Sequence, residues 1–403
     1  MPDDAGFGAQ FSKARPQPIW ADDAAWDEAQ IPQRPWIAPG YFLRGAVTVA
    51  IGAGGVSKSA LMLAYGTALA LGRPLGNMEP TAAFRVALYN VEDDADEQRR
   101  RLSAILTSMG STPGAISGRL KRIGPNGVGV LLQRDPESRD LFPTEAWTSL
   151  VEELRQFGPD VLILDPFVEL HTDDENANVA VREVIARFRA LAIEYQLALV
   201  LIHHTRKGVI VPGDMDQARG ASAIAGAARV VLTIVGMTED EGKAFDLPPG
   251  HRRHFFRVDG AKSNYAPLTD AEWFERTTYA LANGDFVAAP VEWQPPKETI
   301  TVETRALIET EVARGSGAGP WSGKLSDDAR SIKHLLEQHG VRTKPGQKQA
   351  ITQLLGAGFV LAQFKKPGNR NPAQGFRAPS GEPTNVQWID DTDLPEPPGG
   401  RAA

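Results

Sequence analysis

The sequence contains no cysteine, and it also lacks long apolar runs. Without cysteine, the 403-residue chain has no disulfide and no thiolate metal site, which is typical of a cytoplasmic protein. No run of about eighteen apolar residues occurs, so we expect no membrane-spanning helix. The first residues, MPDDAGFGAQ, show no basic segment followed by an apolar one, so we predict no secretory signal.

Positive charge is scarcer than negative charge. The chain has 43 Lys and Arg against 50 Asp and Glu, a formal net charge of -7. This balance argues against a uniformly basic nucleic-acid binder, but it leaves room for a local basic patch. Hydrophobic residues make up 42% of the chain, enough for a sizeable core, and the length allows two or three domains.

Composition divides the chain into five segments. We predict a flexible N-terminal segment at 1–30, an α/β domain at 31–290, a linker at 291–297, a small α+β domain at 298–380 and a disordered tail at 381–403. In the α/β domain, short apolar runs alternate with amphipathic helical patterns. This alternation predicts βαβ units and a mostly parallel sheet that is buried on both faces.

The predicted elements of the α/β domain follow from these periodicities. The strands are Ala46–Gly52, Arg85–Val91, Val161–Asp165, Leu197–His203, Val230–Val235 and His254–Val258. The helices are Lys58–Leu71, Ala95–Met109, Glu145–Phe157 and Val179–Tyr195.

A glycine-rich loop follows the first strand. Residues 52–59 read GAGGVSKS, which matches the phosphate-binding pattern G-x-x-x-x-G-K-[ST] except that Ser57 replaces the second glycine. Backbone N–H groups of such a loop bind phosphate, Lys58 is expected to reach the β- and γ-phosphates of ATP, and Ser59 to bind Mg²⁺. The predicted nucleotide-binding residues are Gly52, Gly54, Gly55, Val56, Ser57, Lys58, Ser59 and Ala60. The alternative is a turn that binds nothing, since a Cβ at position 57 crowds or strains the loop.

Acidic residues end two further apolar strands. Asp165 ends DVLILD and Glu92 follows VALYNV, so both belong at the carboxyl edge of the sheet, where ligands bind in open α/β folds. We predict that Asp165 holds Mg²⁺ and that Glu92 orients the attacking water. Asp93 and Asp94 are instead expected to cap the helix that begins near Ala95.

Two adjacent histidines, His203 and His204, end a third apolar strand. Neighbouring strand residues point to opposite faces, so the pair does not suit a shared zinc ion. We predict that one imidazole faces the γ-phosphate while the other packs or forms a hydrogen bond. The alternative is that both histidines are structural.

Taken in order, these motifs resemble those of RepA-like hexameric helicases over residues 30–270. That family comprises RecA-type ATPases of plasmid and phage replication, related to DnaB-type helicases. The segments that support the resemblance are RPWIAPGYFLRGAVTVAIGAGGVSKSALML, VALYNVEDDADEQRRRL, DVLILDPFVELHTDDENAN, LIHHTRKG and ARGASAIAGAARVVLTI.

The resemblance implies a hexameric ring with ATP sites between subunits. It implies that Lys58 and Ser59 bind phosphate and Mg²⁺, that Glu92 is the catalytic glutamate, that Asp165 is the Walker B aspartate and that His204 is the γ-phosphate sensor. The basic finger from the neighbouring subunit would be Arg219 or Lys262, with Arg229 as a third candidate. Related helicases often have Lys-x-Arg where this chain has Lys262-Ser263-Asn264. A loop at Arg206-Lys207 would contact single-stranded DNA in the ring pore.

The segment from 296 to 380 is basic, with thirteen Lys and Arg against seven Asp and Glu, a net of +6. Helical patterns at Glu303–Arg314, Asp327–His339 and Gly346–Leu355, followed by a hairpin, predict a winged helix with its third helix in the major groove. The predicted duplex-DNA contacts are Lys344, Lys348, Lys365, Lys366 and Arg370. The alternative is a small protein-binding domain.

Two functions fit these motifs. The first is an ATP-hydrolysing, helicase-like DNA motor that acts in replication. The second is an ATP-gated DNA-binding regulator or loader with little or no hydrolysis. Ser57 and Asn264 favour the second function, whereas Glu92, Asp165 and His204 together favour the first.

Overall fold

The computed structural model describes residues 26–123, 129–173, 177–205, 212–213, 222–245, 247–267, 271–295, 300–365, 371–383 and 386–389. The chain forms two compact units, Met1–Pro35 and Trp36–Ala403. In the first unit, Glu28–Gln30 form a 3-10 turn whose N-cap, Asp27, accepts a hydrogen bond from the Ala29 N–H. The elements below belong to the second unit. None of the described helices combines the length and hydropathy that a membrane span requires.

The strands are numbered in chain order. They are β1 (Trp36–Ala38), β2 (Phe42–Leu43), β3 (Val47–Ala53), β4 (Val86–Asn90), β5 (Leu120–Ile123), β6 (Leu132–Arg134), β7 (Leu141–Pro143), β8 (Val161–Asp165), β9 (Ala198–Thr205), β10 (Val230–Gly236), β11 (Phe255–Ser263), β12 (Glu272–Ala280), β13 (Phe286–Trp293), β14 (Val360–Lys365), β15 (Ala373–Arg377) and β16 (Gln387–Trp388).

The α-helices are numbered in the same way. They are α1 (Lys58–Leu71), α2 (Ala95–Ser108), α3 (Glu145–Phe157), α4 (Asn178–Glu194), α5 (Ser222–Ala227), α6 (Glu239–Ala244), α7 (Val302–Arg314), α8 (Ile332–Gln338) and α9 (Lys344–Gly356).

A nine-stranded sheet with the order β13-β12-β11-β10-β3-β9-β8-β4-β5 forms the centre of the second unit. The strands from β10 to β5 run parallel, and β11, β12 and β13 extend the sheet antiparallel beyond β10. The prediction of a mostly parallel α/β sheet is therefore confirmed. Of the three antiparallel strands, the sequence predicted β11 but not β12 or β13.

Apolar side chains on both faces of this sheet are buried. On one face, alternate strand residues such as Ala50, Ile163 and Val200 pack with α1 and α2. On the other face, their strand neighbours, such as Val49 and Leu164, pack with α3, α4 and α5. This double burial explains why the central strands have near-continuous apolar sequences.

The C-terminal helices and strands have an apolar core of their own. Residues of α7, α8 and α9, among them Ile308, Leu335 and Leu354, pack with Phe359 and Phe376. Strands β15, β14 and β16 form an antiparallel sheet in that order. The order of three helices followed by a hairpin is the order predicted for this segment.

Two predicted domain boundaries differ from the structure. The linker predicted at 291–297 begins inside β13, which continues to Trp293 because this ring packs against Phe255 with centroids 4.7 Å apart. The tail predicted to be disordered from residue 381 contributes β16, in which the Trp388 ring packs against Phe364 at 5.6 Å. The proline-rich composition of both segments had predicted no strand there, but the packing of a tryptophan ring stabilises one in each.

Candidate nucleotide-binding site

The glycine-rich loop connects β3 to α1, as predicted. Gly52 is buried, and a Cβ at this position would lie 2.6 Å from the carbonyl oxygen of Ile234, so only glycine allows β3 to approach β10 here. Gly55 (φ 74°) and Ser57 (φ 79°) both adopt left-handed backbone conformations. The helix begins at Lys58, and the loop therefore presents the N-terminus of a 14-residue helix to the cavity.

Lys58 lies at the centre of the site. Its Nζ donates a hydrogen bond to the Ala53 carbonyl at 2.7 Å and lies 3.4 Å from His204 Nδ1. Burial lowers the pKa of Lys58 to about 8, although the negative charges of Asp165 and Glu92 oppose the decrease. The lysine is thus held inside the loop, close to the position that phosphate oxygens occupy in such loops.

Asp165 is buried at the end of β8. Strand β9 lies between β8 and the loop strand β3, so the aspartate reaches the site from two strands away. Its Oδ2 accepts a hydrogen bond from Asn90 Nδ2 at 3.1 Å, and its Oδ1 has no hydrogen-bond partner among the described residues. Burial raises the pKa of Asp165 to about 6, and the charge of Glu92 adds to the rise.

Three predicted site residues converge at the carboxyl edge of the sheet. One ligand atom from each of Glu92, Asp165 and His204 lies within 4.8 Å of the others. Asp165 is buried, His204 half-buried and Glu92 exposed, so the cluster runs from the sheet edge to the solvent. This arrangement fits Mg²⁺, because a buried carboxylate oxygen without a partner is the kind of ligand that Mg²⁺ prefers. Ser59 lines the same cavity. Its hydroxyl group favours the ionised carboxylate of Asp165 and so opposes part of the rise in the pKa of Asp165.

The two histidines have different surroundings. His204 contacts Lys58, as noted above. His203 is buried; its ring centroid lies 6.2 Å from that of Phe167, and its Nδ1 has no partner in the described part of the chain. Burial lowers the pKa of His203 to about 4, and the charge of His204 adds to the decrease. His204 is therefore the histidine that faces the phosphate-binding loop.

The acidic pair beside Glu92 is also divided between two environments. Asp94 is the N-cap of α2 and accepts a hydrogen bond from the Glu97 N–H at 2.7 Å. Asp93 forms an ion pair with Arg101 at 2.8 Å instead of capping the helix. Of the carboxylates of Glu92, Asp93 and Asp94, that of Glu92 is thus the one that lies close to Asp165 and His204.

A cavity of about 670 Å³ surrounds the loop. The predicted residues that line it are Gly55, Ser57, Lys58, Ser59, Ala60, Glu92 and His204. Gly52 and Val56 are buried, and Gly54 is exposed. A slightly larger cavity of about 700 Å³ lies between β5 and α3. The smaller cavity is the one that the glycine-rich loop lines.

The cavity also contains residues that sequence reasoning missed. Its remaining lining residues are Glu97, Arg100, Arg101, Arg276, Asp285, Phe286, Val287, Ala288, Ala289 and Pro290. Arg276 contacts the loop directly: its Nε donates to Ser57 Oγ at 2.6 Å. No motif marks Arg276 in the sequence, because it lies 219 positions from Ser57 and reaches the loop only through the antiparallel strand β12.

The candidate basic fingers have separate positions. Lys262 lies on β11, and its Nζ donates a hydrogen bond to the Gly226 carbonyl at 3.1 Å. The guanidinium of Arg229 lies 5.6 Å from the centroid of the Tyr265 ring. Arg219 and the loop at Arg206-Lys207 lie outside the described residues, as do Lys366 and Arg370. Neither Lys262 nor Arg229 lines the cavity around the loop.

Comparison with known proteins gives a family match over the loop and the first strands. Residues 12–209, just under half of the chain, match the family model described as "AAA domain". A KaiC-like protein from the hyperthermophilic archaeon Pyrococcus horikoshii OT3 is similar in structure over 63% of this chain and 94% of that chain, with 14% identity and a TM-score of 0.38. The family match supports a P-loop ATPase domain. The finer resemblance to RepA-like hexameric helicases is not confirmed by these comparisons and stays a prediction.

Proposed function

We propose that this P-loop ATPase domain binds ATP with Mg²⁺ at residues 52–59 and hydrolyses it. The convergence of Glu92, Asp165 and His204 within 4.8 Å is the observation that supports hydrolysis most directly. A glycine-rich turn that served only packing would not need a buried carboxylate with a free oxygen beside Lys58. The alternative of a turn without a ligand therefore has less support than an ATP site.

Each residue of the cluster has a distinct role in this proposal. Ser59 and Asp165 would hold Mg²⁺, which neutralises phosphate charge when bound. Lys58 and the N-terminal N–H groups of α1 bind the phosphates. Glu92, at the exposed end of the cluster, orients the attacking water. His204 lies against Lys58, where a γ-phosphate would contact its ring.

The rival function, an ATP-gated regulator with little hydrolysis, rests on two departures from the family pattern. One is Ser57, which the loop tolerates in a left-handed conformation with its hydroxyl bound to Arg276. The other is Asn264, where related helicases often have arginine. The first departure is accommodated by the structure, so slow turnover would have to come from the second.

We also propose that the C-terminal segment is a winged helix that binds duplex DNA. The Phe376 N–H on β15 donates to the Trp321 carbonyl at 2.7 Å, so the backbone before α8 contacts the hairpin, as in winged-helix domains. On α9, Lys344, Lys348 and Thr352 are exposed along one side, whereas Ala350 and Leu354 are buried. A basic exposed side on the third helix suits the phosphates that flank a major groove.

In this proposal the α/β domain and the C-terminal segment act together as a DNA-stimulated ATPase, and the chain assembles into a hexameric ring. In such a ring a neighbouring subunit would supply Arg219, Lys262 or Arg229 to the ATP site, and the loop at Arg206-Lys207 would face single-stranded DNA in the pore. The exposed ring of Phe286 at the rim of the cavity, 77% accessible, is consistent with a site that a second chain covers.

The decisive test measures ATP turnover with Mg²⁺, with and without single-stranded and duplex DNA. Lys58→Ala is expected to abolish ATP binding. Glu92→Gln is expected to retain binding but to lower turnover at least about 100-fold, because general-base positioning is lost. The matched control is Asp93→Asn, which changes the neighbouring carboxylate and is expected to leave most turnover intact.

Two outcomes would contradict the proposal. If Glu92→Gln turned over ATP as fast as the wild type, Glu92 would not be the catalytic glutamate. If the wild type bound ATP tightly without turnover in any DNA state, the ATP-gated regulator would replace the motor.

A further inference from the structure

Ser57 occupies an unusual position for a serine. It is the N-cap of α1, and serine at an N-cap normally accepts a hydrogen bond from the second or third N–H of the helix. In α1 these are the N–H groups of Ser59 and Ala60, which belong to the anion-binding end of the helix. A self-capping serine would therefore compete with phosphate for the same donors.

The structure shows that Ser57 does not cap the helix. Its side chain makes no capping hydrogen bond, and its backbone is left-handed (φ 79°, ψ 23°) rather than extended as in ordinary N-caps. A left-handed conformation is strained for a residue with a Cβ, so a contact must hold it in place.

Arg276 provides that contact. Its Nε donates to Ser57 Oγ at 2.6 Å and its Nη2 to the Gly55 carbonyl at 3.4 Å. The third nitrogen of the guanidinium, Nη1, donates to the Arg253 carbonyl, and the guanidinium lies 5.3 Å from the centroid of the Phe256 ring. The arginine is thus anchored on β11 and β12 while it holds both left-handed residues of the loop.

We infer that Arg276 is a positioning residue that keeps the Ser57 hydroxyl away from the helix N-terminus and so keeps the loop open to phosphate. The inference rests on the ATP binding proposed above and explains how this loop accommodates serine in place of glycine. A glycine at position 57 has no hydroxyl that could cap the helix, and it adopts the left-handed conformation without strain because it has no Cβ. With glycine at this position, Arg276 would not be needed to keep the loop open.

This reasoning predicts a specific coupling between positions 57 and 276. In the wild-type background, Arg276→Gln is expected to weaken ATP binding about tenfold, because the serine relaxes and caps the helix. In the Ser57→Gly background the same change is expected to weaken binding less than about twofold. Ser57→Gly alone is expected to bind ATP at least as tightly as the wild type.

The experiment is a double-mutant cycle in the full-length chain. The dissociation constant of ATP with Mg²⁺ is measured by calorimetry for the wild type, Ser57→Gly, Arg276→Gln and the double variant. Arg155→Gln, an exposed arginine on α3, is the control for loss of one positive charge. Thermal unfolding without nucleotide checks that each variant is folded, and the double variant shows whether a chain without Arg276 still binds.

The outcomes separate this inference from the proposed function. Rescue of Arg276→Gln by Ser57→Gly supports the positioning role. An equal loss in both backgrounds overturns it and makes Arg276 a direct ligand of the nucleotide or a purely structural residue. If the wild type binds ATP but the cycle shows no coupling, only this inference fails. If the wild type does not bind ATP, both fail.

Discussion

Close approach of two strands determines which glycines of the loop are replaceable. A Cβ at Gly52 would lie 2.6 Å from the Ile234 carbonyl oxygen and 2.9 Å from Val56 Cγ1, whereas a Cβ at Gly54 has no atom within 4 Å. Gly54 also has no left-handed backbone. Both glycines are predicted nucleotide-binding residues, but the structure distinguishes them.

We predict that Gly52→Ala lowers the free energy of unfolding by about 2 kcal/mol, since the added methyl forces β3 away from β10. Gly54→Ala is the matched control and is expected to change the same free energy by less than about 0.5 kcal/mol. Urea unfolding without nucleotide measures both variants. Equal effects at the two positions would contradict the contact at Gly52.

His203 makes stability depend on pH. Its folded pKa is about 4, below the ordinary value of 6.5, so protonation favours the unfolded chain. The stability that neutral His203 provides is fully present above pH 6.5 and is lost as the pH falls towards 4. Burial is the main cause of the low pKa, and the positive charges of His204, Lys58 and His171 also oppose protonation of the ring.

We therefore expect His203→Phe to reduce the stability lost between pH 7 and pH 5 by about 2 kcal/mol. Phenylalanine retains the packing against Phe167, which isolates the titration. His251→Phe replaces an exposed histidine and is expected to keep the wild-type pH dependence. Urea unfolding at both pH values gives the comparison, and an unchanged pH dependence in His203→Phe would refute the assignment.

At the scale of single elements, α9 depends on a buried cap. Thr343 is 5% exposed, and its hydroxyl accepts a hydrogen bond from the Gly346 N–H at 3.0 Å. Helix N-termini leave backbone N–H groups without partners inside the helix, and the cap satisfies one of them. This helix presents Lys344 and Lys348, so its first turn fixes the proposed DNA-binding side.

Thr343→Val is expected to lower the stability of the α9 region by about 1 kcal/mol, because the buried N–H loses its acceptor. Hydrogen exchange of the α9 amides measures this locally. The control is Thr352→Val on the same helix, an exposed threonine whose hydroxyl donates to the Lys348 carbonyl. Equally fast exchange in both variants would show that the cap does not stabilise the helix.

At the scale of the whole molecule, charge is unevenly distributed, because the chain is acidic as a whole but its C-terminal part is basic. The chain carries -7 overall, and residues 296–380 carry +6. Such a distribution suits a protein that recruits nucleic acid through one domain and uses ATP in another.

We predict that Lys344→Gln with Lys348→Gln weakens duplex-DNA binding and lowers the slope of log K against log salt by about 2. The loss should be similar for different DNA sequences, since both proposed contacts are to phosphate. A control pair, Lys243→Gln with Lys121→Gln, removes the same charge from exposed sites of the α/β domain. Equal salt slopes for the two pairs would place the DNA-binding surface elsewhere.

Local patterns in the sequence determined most elements of the α/β domain. The helices Lys58–Leu71 and Glu145–Phe157 and the strand Val161–Asp165 have the predicted bounds. Their apolar periodicity and their Gly or Asp termini are properties of neighbouring residues, and they hold before any tertiary contact forms. The loop, its lysine and the acidic ends of the strands were visible for the same reason.

Tertiary structure alone decided the rest. Strands β12 and β13, the pairing of β16 and the contact of Arg276 with Ser57 all join segments far apart in the chain. Strand order also placed Asp165 of β8 close to His204 of β9, the strand that pairs with β3. Pairing between distant strands depends on which surfaces meet once the core is packed, and no local window of sequence contains that information.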